Sequence, residues 1–296
     1  MDLDQTNTQF KYWEKQVGIA HGTGVPYVLR EMSSVGPIGM HQVSDTFGAA
    51  LWTLNFFLYM ARLNVSSVQM HMTDNSNASA WQPINVYGKD PFVRPQYYAH
   101  AAIAQIIGNG NGTTQIGELN SGDANGAYFG HIRAYSAYAN GNIQSVILIN
   151  ARQANASQTN KESFTFNLDL GTQNANKEIY LSYLTADGAD SLSGTTWNGI
   201  SYSDVDGTPT VVDESVYSRQ LDGSGKVSIA VRDSEAVVAN LDWVLGSNKV
   251  IKVDTSTTSG SRRKNNAGSS LSKSVYTAMC AGILTTALAL GSSVLL

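Results

Sequence analysis

The sequence predicts an α/β segment followed by an all-β domain: two βα units, an antiparallel β-sandwich, a disordered linker and an apolar C-terminal tail. Three observations carry this. Apolar runs through residue 108 follow the order strand, helix, strand, helix, far too few units to close a barrel of eight. From 109 onward only short β-patterned runs recur, separated by turn residues, as in an antiparallel sandwich. After Asp254 the chain becomes low-complexity Ser/Thr and then apolar to its last residue. The expected boundaries are 1–108, 109–254, 255–274 and 275–296.

The elements follow in order. Residues 12–20 read as the end of a helix closed by His21-Gly22, and 25–29 as a short buried strand. Ser44-Asp45 offers an N-cap before Phe47, Ala50, Leu51, Leu54, Leu58 and Ala61, which recur at helical spacing to Arg62. Residues 66–72 alternate as a second strand, and 96–108 form another helix. The β runs are 114–119, 128–138, 143–150, 163–168, 179–184, 208–212, 227–231 and 236–241. Turn sequences such as Asn140-Gly141 and Asp222-Gly223 separate them.

Composition narrows the function. Net charge is −4 and the chain is 14 % charged, with no basic stripe to follow a phosphate backbone, so nucleic acid is not an expected partner. The single cysteine, Cys280, excludes an intrachain disulfide. The histidines at 21, 41, 71, 100 and 131 show no metal-ligand spacing, and no Gly-x-Ser-x-Gly elbow marks a serine nucleophile. No metal or cofactor is expected. Acceptor sequons at Asn64, Asn77, Asn111 and Asn155 lean towards a secretory route.

The C-terminal pattern points the same way. Small residues, a polar spacer and the apolar run 275–296 form the pattern of a glycolipid-anchor (GPI) signal with attachment at Asn266; the competing reading is a transmembrane tail. The anchor reading places the protein at the extracellular cell surface, and either reading attaches it to the membrane. Met1 to Asn7 carries no basic n-region and no apolar core, so the expectation is that this chain is the C-terminal piece of something longer.

The candidate chemistry starts at Glu31, a carboxylate closing an extended apolar run, where the strand-end groups of a (β/α) barrel sit. His71 ends the second strand, and His41, on the intervening loop, reads as a surface residue.

Arg30-Glu31-Met32-Ser33-Ser34 and Val43-Ser44-Asp45-Thr46-Phe47-Gly48-Ala49-Ala50-Leu51-Trp52 resemble fungal members of glycoside hydrolase family 79. So do His71, Ser79-Ala80-Trp81-Gln82-Pro83 and Arg94-Pro95-Gln96-Tyr97-Tyr98-Ala99. The family contains β-glucuronidases and is related to heparanases. The resemblance implies the last two βα units of a (β/α)8 barrel and a C-terminal β-sandwich. It implies that Glu31 is the nucleophile of a retaining mechanism, that His71 and Trp81 bind substrate, and that the substrate is a β-linked glucuronide of cell-wall or proteoglycan glycans. The family's proton donor lies in an Asn-Glu context, and no glutamate of this chain follows an asparagine. The chain also departs from the family at Met32-Ser33, where relatives have Thr-Asn, and at Ala78, where they often carry a tyrosine. The alternative expectation is therefore a catalytically inactive, GPI-anchored surface protein that keeps the β-sandwich.

Overall fold

The structure is a computed structural model of the chain and describes residues 1–121, 124, 126–247, 249 and 251. The expected linker, the apolar tail and Asn266 lie outside these residues. Among the described residues no helix is long and apolar enough to cross a membrane. Met1–Val253 cluster as one compact unit of mixed α/β structure with a β-sheet domain.

Helix α1 spans Leu3–Thr23, and strand β1, Val28–Met32, follows it. Helix α2, Phe47–Arg62, leads to β2, Ser67–Met70. Strands β3, Trp81–Gln82, and β4, Phe92–Val93, form a short ribbon before helix α3, Pro95–Asn109. The first helix is longer than its apolar pattern indicates. Asp2 starts it by accepting from the Gln5 N–H at 2.9 Å, and Gly24, at φ 73°, ends it. Strands β1 and β2 pair in parallel across α2, and among the described residues they pair with no other strand. Leu29, Phe10, Phe56, Tyr59 and Met60 form the core that α1 and α2 build against this pair.

The remaining strands are β5 Gln115–Leu119, β6 Ile132–Ala139, β7 Asn142–Asn150, β8 Ser163–Asp169 and β9 Glu178–Thr185. They continue as β10 Thr196–Trp197, β11 Ile200–Tyr202, β12 Pro209–Val211, β13 Tyr217–Gln220, β14 Lys226–Arg232 and β15 Glu235–Leu241. The sheet order is β12-β11-β10-β9-β15-β7-β6-β5, with β13 sharing the outer edge of β9. The short strands β10, β11 and β13 lie where the sequence shows no clear alternation, and their pairing to β9 and to one another makes them strands.

The central strands are covered on both faces. On one side β8 and β14 form an antiparallel ribbon over Ala134, Leu148, Leu181, Val237 and Ala239. On the other, Tyr135, Ile147, Ile149 and Val238 are buried towards the helices. Polar pairs hold that second face. Asn55 of α2 accepts from the Tyr135 hydroxyl at 2.8 Å and lies 2.8 Å from the Asn7 amide of α1. Asn109 of α3 donates to Asn240 of β15 at 2.9 Å, and Trp197 donates to Gln105 at 2.8 Å. Full pairing of such buried groups is what makes their burial tolerable.

Candidate active site

Glu31 sits at the end of β1, and the strand is irregular there. Leu29 opposes Val68 and Met32 opposes Met70, so β1 carries one residue more than β2 over this span. The extra residue is absorbed as a bulge, with Glu31 at φ 56°. A non-glycine residue in the left-handed region costs on the order of 1–3 kcal/mol and persists where the surroundings impose it. Bulges re-aim side chains, and here the carboxylate ends up solvent-exposed. The two strand ends meet directly, because the His71 N–H donates to the Met32 carbonyl at 2.8 Å. The His71 Nδ1 is buried with no hydrogen-bond partner among the described residues.

The loops following β1 and β2 are locked to each other. The Ile38 carbonyl accepts from the Asn77 N–H at 2.8 Å and from the Ser76 hydroxyl at 3.0 Å. Gly39, at φ 74°, allows the approach: a Cβ there would run into Ser44 Oγ and the Ala78 backbone nitrogen. Ser44 and Asp45 do not cap α2, contrary to the expectation from their position. Thr46 is the N-cap residue, and the first helical N–H groups instead reach the Ser191 and Ala189 carbonyls, each at 2.8 Å. Ser44 Oγ accepts from the Met40 N–H at 2.7 Å, while the buried Asp45 accepts from His41 Nδ1 at 2.7 Å. The His41 side chain is 62 % exposed.

Trp81 lies ten residues beyond His71 and is buried, 7 % exposed. Its indole meets Tyr97 edge-on at 6.0 Å, and its N–H reaches the Asp204 carbonyl at 3.4 Å. Arg94 underpins the same corner, donating to the carbonyls of Ser76 and Ser79 while lying 3.8 Å over the Phe92 ring. Burial lowers the pKa of that guanidinium, and nearby Asp45 opposes the shift. Gln82 ties the corner further, accepting from the Asn75 N–H at 2.9 Å and donating to the Ile84 carbonyl at 3.1 Å. Asp45, Arg94 and Gln82 all stand in motifs visible in the sequence, but their roles as loop anchors arise only from the fold.

All the other glutamates except Glu214 are engaged elsewhere. Glu14 accepts from Tyr59 at 3.0 Å, Glu118 pairs with Arg62 at 3.4 Å, and Glu162 pairs with Arg152. Glu178 accepts from Tyr180 at 2.8 Å, Glu235 accepts from Thr185 at 2.9 Å, and Glu214 is exposed. Among the described residues no group of three or more His, Cys, Asp or Glu side chains is placed to hold a metal. Of the acceptor asparagines, Asn64, Asn111 and Asn155 are exposed, and Asn77 is half-buried at the loop lock.

The family profile described as "Glycosyl hydrolase family 79 C-terminal beta domain" matches residues 134–238, from within β6 to within β15. The chain resembles the C-terminal part of a family 79 glycoside hydrolase. A β-glucuronidase of Aspergillus niger is 28 % identical over 190 residues, covering 61 % of this chain and 34 % of that protein. A β-glucuronidase of Neurospora crassa is 29 % identical over 241 residues, covering 71 % and 43 %. The chain thus spans between a third and a half of the curated relatives it matches. A solved 4-O-α-L-rhamnosyl-β-D-glucuronidase from Fusarium oxysporum shares the fold, with a TM-score of 0.66 at 22 % identity over 79 % of this chain and 48 % of that one.

Proposed function

We propose that this chain forms the C-terminal part of a retaining β-glucuronidase-like glycoside hydrolase of family 79, with Glu31 as its nucleophile. The observation that carries the reading is the bulge that presents the Glu31 carboxylate at the end of a strand paired in parallel to the next across a helix. A parallel strand pair joined through a helix supports reading this segment as two βα units of a (β/α)8 barrel, a fold whose chemistry lies at the strand C-termini. The β-glucuronidase relatives support a β-linked glucuronide as substrate.

In this mechanism the Glu31 carboxylate attacks the anomeric carbon, the glycosidic bond breaks, and a carboxylic acid on the far side gives its proton to the leaving oxygen. Water then cleaves the glycosyl ester, returning a proton to that second group. The two carboxyl groups must stand about 5–5.5 Å apart. His71, whose backbone is joined to Met32, offers its imidazole to sugar hydroxyls. Trp81, which the resemblance assigns to substrate binding, is buried with its indole against Tyr97 and the Asp204 carbonyl. No glutamate of the chain stands in the Asn-Glu context of the family's proton donor, so the chain by itself is expected to show no turnover.

In a full-length form, Glu31→Gln should abolish hydrolysis of an aryl β-glucuronide while leaving the melting temperature nearly unchanged, since the side chain is exposed. Turnover at the wild-type rate in that variant refutes the assignment. A second reading, an inactive cell-surface protein, is favoured by the engagement of the other glutamates elsewhere. Hydrolysis by the full-length wild type eliminates it.

A further inference from the structure

We propose a second carbohydrate-binding site on the β-sheet domain, distinct from Glu31, that takes a neutral pyranose unit. The β8–β14 ribbon covers only part of its face of the large sheet. Beyond its edge, Tyr183, Thr185, Thr196, Asn198, Tyr217 and Glu235 line an open groove of about 340 Å³. This volume lies at the lower end of small-molecule sites, suited to one or two sugar rings.

The lining chemistry selects the ligand. Tyr183 and Tyr217 stand nearly perpendicular, 74° apart with ring centroids at 5.2 Å, and Tyr217 is 43 % exposed. An aromatic face held by a neighbouring ring offers the C–H side of a pyranose a flat apolar surface. The carboxylates at the groove are already satisfied. Asp213 accepts from the Ser215 N–H at 2.9 Å and from the Tyr217 hydroxyl at 3.2 Å. Glu235 accepts from Thr185 at 2.9 Å and pairs with Arg232 at 3.6 Å. The Tyr183 hydroxyl makes no hydrogen bond among the described residues, and Asn198 uses only its amide N–H, on the Leu245 carbonyl. The free groups are therefore neutral hydroxyl and amide functions beside an aromatic face. Neither lysine nor arginine lines the groove, and Arg232 behind it is already engaged by Thr185, Glu235 and the Ala186 carbonyl, so a sugar carboxylate meets no uncommitted cation among the lining residues.

The test is calorimetric titration of the full chain with methyl β-glucopyranoside, methyl β-xylopyranoside and glucuronate. Either neutral glycoside should bind at millimolar concentration and glucuronate at least about tenfold more weakly. Tyr217→Ala should weaken binding by about three- to tenfold, the worth of one aromatic contact, whereas Tyr217→Phe should retain it. Thermal melts of both variants report folding. Absence of binding by every probe, preference for glucuronate, or a folded Tyr217→Ala that binds as the wild type would each overturn the proposal. Glu31→Gln should leave binding unchanged, so the catalytic reading and this one fail separately.

Discussion

The two parallel strands around Glu31 and the central strands of the large sheet are built by opposite rules. β6, β7 and β15 are paired on both edges and covered on both faces, by the β8–β14 ribbon and by the helices, and nearly all their side chains are buried. Among the described residues β1 and β2 pair only with each other; they are half-exposed and carry a bulge with a glutamate in a left-handed conformation. The difference locates stability and the candidate carboxylate in separate places. A rigid, doubly covered sheet tolerates no exposed reactive group, while a strained, open strand end can present one. The helices connect the two, sharing Phe10 and Phe56 with the pair and Asn7 and Asn55 with the sheet.

The contrast can be broken at its strongest point. Leu148→Ala in β7 should cost about 2–5 kcal/mol in urea unfolding, because a fully buried leucine leaves a cavity between two closed layers. Val68→Ala in the half-exposed β2 should cost about 1 kcal/mol. Equal losses would erase the distinction. Gly39→Ala tests the loop lock. It should destabilise by about 1–3 kcal/mol through the left-handed φ and the collision with Ser44 and Ala78, and in a full-length form it should lower kcat as the loop bearing Ser33 and Ser34 shifts.

Smaller effects sharpen the comparison. Tyr135→Phe removes the hydroxyl that Asn55 accepts and should cost about 1–3 kcal/mol, as for a buried acceptor left without its donor. A cost indistinguishable from zero would mean that packing alone joins helices to sheet. The smallest effect is a pH slope. Burial raises the Glu235 carboxyl above its usual 4.5, against the opposing pull of Arg232 and Thr185. The native state therefore holds that proton to higher pH than the unfolded chain. Stability contributed by the neutral form is complete below pH 4.5 and is lost as pH rises through the folded pKa. Melting curves across mildly acidic pH should show this decline in the wild type and lose that part of it in Glu235→Gln.

The strongest patterns of the fold are legible in the amino-acid order. Ala50, Leu54 and Leu58 recur at helical spacing, and α2 forms there because burying that stripe drives it. The Asn140-Gly141 turn joins β6 to β7 because both residues tolerate positive φ. Even Glu31 stands out as the carboxylate at the end of an apolar run. The short strands β10, β11 and β13 do not, since runs of two to four residues hold no period, and their identity comes from partners far along the chain.

What the sequence by itself determined is therefore the local periodicity, the family likeness and the candidate carboxylate, all set by neighbouring residues. Tertiary structure alone decided that a bulge against Met70 turns Glu31 outward, and that Asp45 anchors His41 instead of capping a helix. It alone decided that Trp81 is buried and that Tyr183 meets Tyr217 beside an open groove. These outcomes depend on which distant segments occupy the space around a side chain, and local patterning does not encode that.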